Sequence, residues 1–91
     1  MQVNYRYSDT DFTAYLMTLG YIYNEIEIVR DKNKQLKAYI HFEGKKEDLI
    51  QLQNNYKDGI VQANILDFTN NRKKITKIIK SEILKYQAEN L

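Results

Sequence analysis

Apolar residues recur at helical spacing in three stretches of the chain and alternate with polar ones in two others. Phe12, Tyr15, Leu16 and Leu19 follow the i, i+3, i+4, i+7 spacing of one helix face. Ser8 precedes them as an N-cap, with Asp11 three residues on, and Gly20 follows as a stop. Together these predict a helix over about 9–19. Residues 21–30 alternate instead: Ile22, Ile26 and Ile28 share one face, interrupted by Asn24, while Tyr21, Tyr23, Glu25, Glu27 and Val29 share the other. Residues 36–42 repeat the pattern, with Leu36, Ala38, Ile40 and Phe42 against Lys37, Tyr39 and His41, and Gly44 is read as the end of that strand.

The two alternating runs predict an antiparallel hairpin whose register is constrained by its faces. Cross-strand partners point to the same side of a sheet. Ile26 and Ile28 must therefore oppose the Leu36, Ala38 and Ile40 set, so paired residue numbers sum to an even number. A two-residue turn gives an odd sum, which predicts a three- or five-residue loop, or a bulge. Either allowed register brings Glu25 or Glu27 near Lys37, Tyr39 or His41.

A second helix is predicted over about 45–56, carried by Leu49, Leu52 and Tyr56, with Gly59 as its stop. Residues 60–63 read as a short edge strand. Asn64 then caps a long last helix over about 65–88, whose stripe is Ile65, Phe68, Ile75, Ile79, Ile83 and Tyr86, thickened by Leu66, Ile78 and Leu84, with Arg72 snorkelling past it. The expectation is one small α+β domain over 1–91, in the order α-β-β-α-(β)-α, an antiparallel hairpin with helices packed on one face. Too little chain remains to cover the other face.

At 91 residues there is room for one core, and nearly every large apolar side chain is needed in it. The chain has no cysteine and one histidine, His41. That rules out disulfide staples and the common structural zinc sites, and points to the cytoplasm. Met1 to Tyr7 lacks the apolar centre of a signal peptide, and no apolar run reaches membrane-spanning length, so no membrane is expected as a partner. The net charge of +2 is mild, but its distribution is uneven. Residues 1–64 hold 8 basic and 9 acidic side chains, and residues 65–91 hold 6 and 3.

Candidate chemistry is sparse. His41 opposes Glu25 in one allowed register and Tyr23 in the other; a His41–Glu25 pair is a candidate acid–base couple, but no nucleophile or glycine-rich loop accompanies it, and a cross-strand polar pair explains it better. Asp9, Asp11, Glu25 and Glu27 fit no calcium-loop spacing; helix-end stabilisation and cross-strand pairing account for them. No catalytic residue, metal site or cofactor is expected. Arg72, Lys73, Lys77 and Lys80 lie close together at helical spacing and can track phosphates. The eight tyrosines are the most unusual feature. Tyr21, Tyr23 and Tyr39 are placed with Lys37 on the uncovered sheet face, as a candidate protein-binding surface. Two uses of that face stay open: contact with another molecule, a second copy included, or cover by the Tyr5–Tyr7 segment pairing as an extra strand.

The run Tyr7-Ser8-Asp9-Thr10-Asp11-Phe12 to Leu19-Gly20, followed by Phe42-Glu43, Tyr56-Lys57-Asp58-Gly59, Val61-Gln62-Ala63 and Phe68, resembles a family of small proteins of phages and Gram-positive bacteria, catalogued as a domain of unknown function. The resemblance spans roughly Tyr5 to Lys80, and its order and spacing carry it. The charged stretch from Lys80 to Leu91 and the tyrosine pairs depart from that family's pattern. It implies a shared fold and a mobile-element origin, and supplies no catalytic residues. The expected function is therefore a non-enzymatic module that binds a host protein, with anti-defence inhibition such as anti-CRISPR action as one form. The alternative is a nucleic-acid-binding accessory protein using the basic last helix. A homo-oligomer is compatible with both.

Overall fold

The computed structural model describes residues 2–90; Met1 and Leu91, the ends of the expected 1–91 domain, lie outside the described residues. The elements are β1 (Gln2–Tyr7), α1 (Thr10–Thr18), β2 (Tyr23–Arg30), β3 (Leu36–Lys45), α2 (Lys46–Lys57) and α3 (Ile65–Glu89). The three strands form one antiparallel sheet in the order β1-β3-β2. The helices pack on the face that carries Tyr7, Ala38, Ile40 and Phe42, where Phe12, Leu16, Leu49 and Ile75 meet them in the core. This is the α+β architecture expected from the sequence, in the order β-α-β-β-α-α.

The hairpin follows the parity argument. Ile26 opposes Ile40, Ile28 opposes Ala38 and Arg30 opposes Leu36, leaving residues 31–35 as a five-residue connection. Within it the Asp31 N–H still donates to the Gln35 carbonyl, and Lys34 takes the left-handed conformation at φ 64°. The Asp31 carboxylate accepts from the backbone N–H groups of Asn33 and Gln35 at 2.9 Å, holding the turn in place.

Helix α1 is capped by Asp9, not Ser8: its Oδ1 accepts from the N–H groups of Asp11 and Phe12. Its C-terminus closes as the glycine predicts. Gly20 sits at φ 99°, the Gly20 N–H donates to Met17 and the Tyr21 N–H donates to Leu16. Gly59 ends α2 in the same way at φ 75°, with the Ile60 N–H donating to Asn55.

Three further expectations are corrected, and one left open is decided. Residues 60–63 form no strand; they run as irregular chain between α2 and α3. The free edge of β3 is taken by β1: the Tyr5–Tyr7 segment does pair as an extra strand, beside β3 rather than over the outer face, and its Val3, Tyr5 and Tyr7 alternate toward the core. Gly44 lies inside β3 rather than at its end, and its missing side chain leaves room for the Tyr21 ring, which a Cβ there would meet at 3.1 Å. Ile65, Leu66 and Leu84, placed by periodicity in the core stripe of the last helix, are 82%, 67% and 66% exposed, because the face of α3 that meets the core is the narrower one centred on Ile75.

Candidate functional site

The outer face of the sheet carries Asn4 and Arg6 from β1, Glu25 and Glu27 from β2, and Lys37, Tyr39 and His41 from β3. No helix covers it. The predicted set of Tyr21, Tyr23, Lys37 and Tyr39 does not assemble there. The ladder slips between Tyr23 and Glu25, so that Tyr23 opposes Phe42 and turns to the core side. Tyr21 precedes the strand and also packs against the core. Only Lys37 and Tyr39 remain outside.

What the outer face builds is a polar network. His41 Nε2 lies 3.0 Å from Glu27 Oε1 and its Nδ1 lies 2.9 Å from Asn4 Nδ2. Arg6 donates to the same Glu27 oxygen at 3.0 Å and stacks over the Tyr39 ring at 4.3 Å. Lys37 approaches the ring at 5.4 Å. The hydrogen bonds from His41 and Arg6 hold the Glu27 carboxyl below the usual carboxylate range. Glu25 is the cross-strand neighbour of His41, yet the imidazole bonds to Glu27 and Asn4, a mutually satisfied arrangement.

The two aspartates fall elsewhere, at the start of α1. Asp9 is its cap, and Asp11 forms an ion pair with Arg72 of α3. Among the described residues no group of three or more histidine or carboxylate side chains is arranged to hold a metal. The Asp11 pair also removes Arg72 from the proposed basic set, where it was expected to snorkel. Lys73, Lys77 and Lys80 stay exposed, and none of them is in an ion pair among the described residues.

A concavity lies where α1, the end of α2 and the start of α3 converge. It is a groove of about 480 Å³ lined by Tyr15, Tyr56, Val61, Gln62, Ala63, Ile65 and Phe68. Its size falls in the range of small-ligand and anchor-residue pockets. Its walls are aromatic: the Tyr15 and Tyr56 rings stack at 6.4 Å, and Phe12 backs Tyr56 at 5.1 Å. The Tyr56 hydroxyl lies 3.5 Å from Asp9 Oδ1, at the long limit of a hydrogen bond. Burial, with Asp9 and Asp11 close by, pushes that hydroxyl's pKa up. Two of its lining residues are exposed aliphatics, Val61 at 44% and Ile65 at 82%.

Sequence reasoning missed this groove because it assigned Ile60 to Ala63 to a strand and Ile65 to the core. The available signal was an apolar run between a helix-stopping glycine, Gly59, and a helix-capping asparagine, Asn64, too short to bury itself as either element. No family model, curated protein or solved structure matches this chain. No helix among the described residues is long and apolar enough to cross a membrane.

Proposed function

We propose that this chain is a non-enzymatic protein-interaction module, of phage or other mobile-element origin, that works by occluding a surface of a host protein. The observation that carries this reading is the groove between α1, α2 and α3, together with the aliphatic side chains exposed around its mouth. Large aliphatic residues left in water around one aromatic-walled cavity are the usual mark of a binding surface. On this reading the groove, and not the pair Tyr21 and Tyr23, makes the contact; the fold packs those two tyrosines against its core. The hydrogen-bonded state of His41 supports the non-enzymatic part of the reading.

The test is affinity capture from a Gram-positive host lysate, with and without nuclease, comparing the wild-type chain with a Val61→Asp/Ile65→Asp variant. Both positions are solvent-facing, so the variant should keep its stability within about 1 kcal/mol. A discrete protein held by the wild type after nuclease, and lost by the variant, is the expected result. Equal retention by both would remove the groove from the function. Material that vanishes with nuclease would favour the alternative nucleic-acid reading, which rests on the unpaired Lys73, Lys77 and Lys80.

A further inference from the structure

We propose that the free edge of β2 takes an extended, basic segment of a partner protein as a fourth strand, with the segment's apolar side chains entering a cleft between β2 and the last turns of α3. This site is separate from the groove and does not depend on it. The groove uses the start of α3, at Phe68, and the cleft uses its end, from Glu82, about 21 Å further along the helix.

Three features meet at this edge. The sheet order β1-β3-β2 leaves β2 paired on one side only among the described residues, so alternate backbone N–H and C=O groups between Glu25 and Arg30 point outward. Beside that edge, on the core side of the sheet, lies a cleft of about 270 Å³ lined by Ile26, Ile28, Glu82, Lys85, Tyr86 and Glu89. Helix α3 packs under β2, yet Ile26, Ile28 and Tyr86 stay only half-buried. The charge along the edge is acidic. Glu25 and Glu27 stand on the outer face, and Glu25 and the cleft's Glu89 are exposed and in no ion pair among the described residues. The cations on this side are already engaged: Lys85 lies 3.7 Å from Glu82, and Arg30 donates to the Lys34 carbonyl at the hairpin turn.

Strand pairing then specifies the occupant. Residues opposite one another across a ladder share a face. A segment added to β2 sets the residues opposite Ile26 and Ile28 over the cleft, and those opposite Glu25 and Glu27 on the outer face. The sequence that fits alternates large apolar residues with lysine or arginine. A second copy does not fit by pairing β2 with β2. Two-fold registers centred on Glu25, Ile26 and Glu27 set Glu25 against Glu25, Glu25 against Glu27 and Glu27 against Glu27. Those centred on Ile28 and Val29 bring Glu25 or Glu27 opposite Asp31. The same carboxylates repel a phosphate backbone. The edge of β1 lacks this combination, because its outer-face charge, Arg6, is already bound to Glu27.

The experiment is selection of phage-displayed random peptides of about 10 residues, slightly longer than a typical strand, on the immobilised full chain. A Glu25→Lys/Tyr86→Asp variant serves for counter-selection. One enriched peptide is titrated by fluorescence anisotropy, and backbone amide exchange of the wild-type chain is followed by NMR with and without it. The expected result is a consensus in which apolar residues alternate with lysine or arginine. Its affinity should fall at least about tenfold for Glu25→Lys, fall less for Glu25→Gln, and stay unchanged for Val61→Asp/Ile65→Asp. Exchange should slow at alternate amides between Glu25 and Arg30, which contact between side-chain charges alone would not produce. Thermal melts of each variant establish that it is folded, and the exchange measurement needs no variant. A consensus without basic residues, no enriched peptide, or unchanged exchange along β2 would overturn the proposal. Binding lost in the groove variant and kept in Glu25→Lys would overturn it and assign the peptide to the groove. Protection of the same β2 amides in the concentrated chain alone would overturn it in favour of a second copy pairing its β1 with this edge.

Discussion

The two faces of the same three-stranded sheet are built from the same alternating strands and follow different physics. The helix-covered face buries Tyr7, Ala38, Ile40 and Phe42 against Phe12, Leu16, Leu49 and Ile75, and its stability comes from apolar area removed from water. The outer face carries Arg6, Glu27, Lys37, Tyr39 and His41, held to one another by hydrogen bonds and cation–π contacts in the presence of solvent. Contacts of that kind set side-chain geometry and contribute little net stability. A residue's cost on substitution is therefore decided by its face, and the residue type is secondary.

The comparison is broken most sharply at the centre of β3. Phe42→Ala empties a fully buried site and should cost about 3–5 kcal/mol, read as a shift of the urea midpoint. A cost under about 1 kcal/mol would mean that the core does not close where the packing places it.

A closer contrast pairs two tyrosines assigned to one face by strand alternation. Tyr23 packs against the core and Tyr39 lies outside. Tyr23→Ala should cost about 1–2 kcal/mol, the burial energy of a half-covered aromatic ring. Tyr39→Ala should cost about 0.5 kcal/mol. Equal effects in parallel denaturation curves would mean that the slip at Asn24 does not turn Tyr23 inward.

Thr13 sharpens the covered face from the opposite direction. Its side chain is fully buried and its hydroxyl has no hydrogen-bond partner. Thr13→Val keeps the shape and removes the unpaired group, so it should raise stability by about 1 kcal/mol. A loss of stability on thermal melting would show that the hydroxyl is satisfied after all.

The smallest effect belongs to the outer face and is visible only through pH. The carboxyl of Glu27 is held below its usual value near 4.5 by hydrogen bonds from His41 and Arg6. A depressed folded-state pKa means the native state binds fewer protons than the unfolded one. The stabilisation is then present above the unfolded value and is lost as pH falls through the folded one. Glu27→Gln should flatten the acid limb of the stability profile below about pH 4.5 and leave its slope near neutrality unchanged. An unaltered acid limb would show that the network does not bind the ionised form.

Much of the fold was legible along the chain. The i, i+3, i+4, i+7 pattern from Phe12 to Leu19, ended by Gly20, marks α1 with little ambiguity. The parity of the Ile26–Ile28 and Ala38–Ile40 faces required an odd-length hairpin loop, and the loop has five residues. The register also brought Glu27 beside Tyr39 and His41, as expected. Less of the candidate site was legible. Lys73, Lys77 and Lys80 were identified as an exposed stripe, while Tyr15, Tyr56, Val61, Ile65 and Phe68 were read as core or strand.

The local pattern by itself determined helix ends, strand periodicity and hairpin parity, because each depends on side chains a few residues apart. Tertiary structure decided the rest. β1 became a strand because β3 offered an unpaired edge and the helices beneath offered a face for Val3, Tyr5 and Tyr7. The slip at Asn24 moved Tyr23 from one face to the other. Arg72 left the basic stripe because α1 brings Asp11 to it from 61 residues away. The groove exists only where α1, α2 and α3 converge. Each depends on groups far apart in the chain, whose pairing follows from packing and not from any local periodicity.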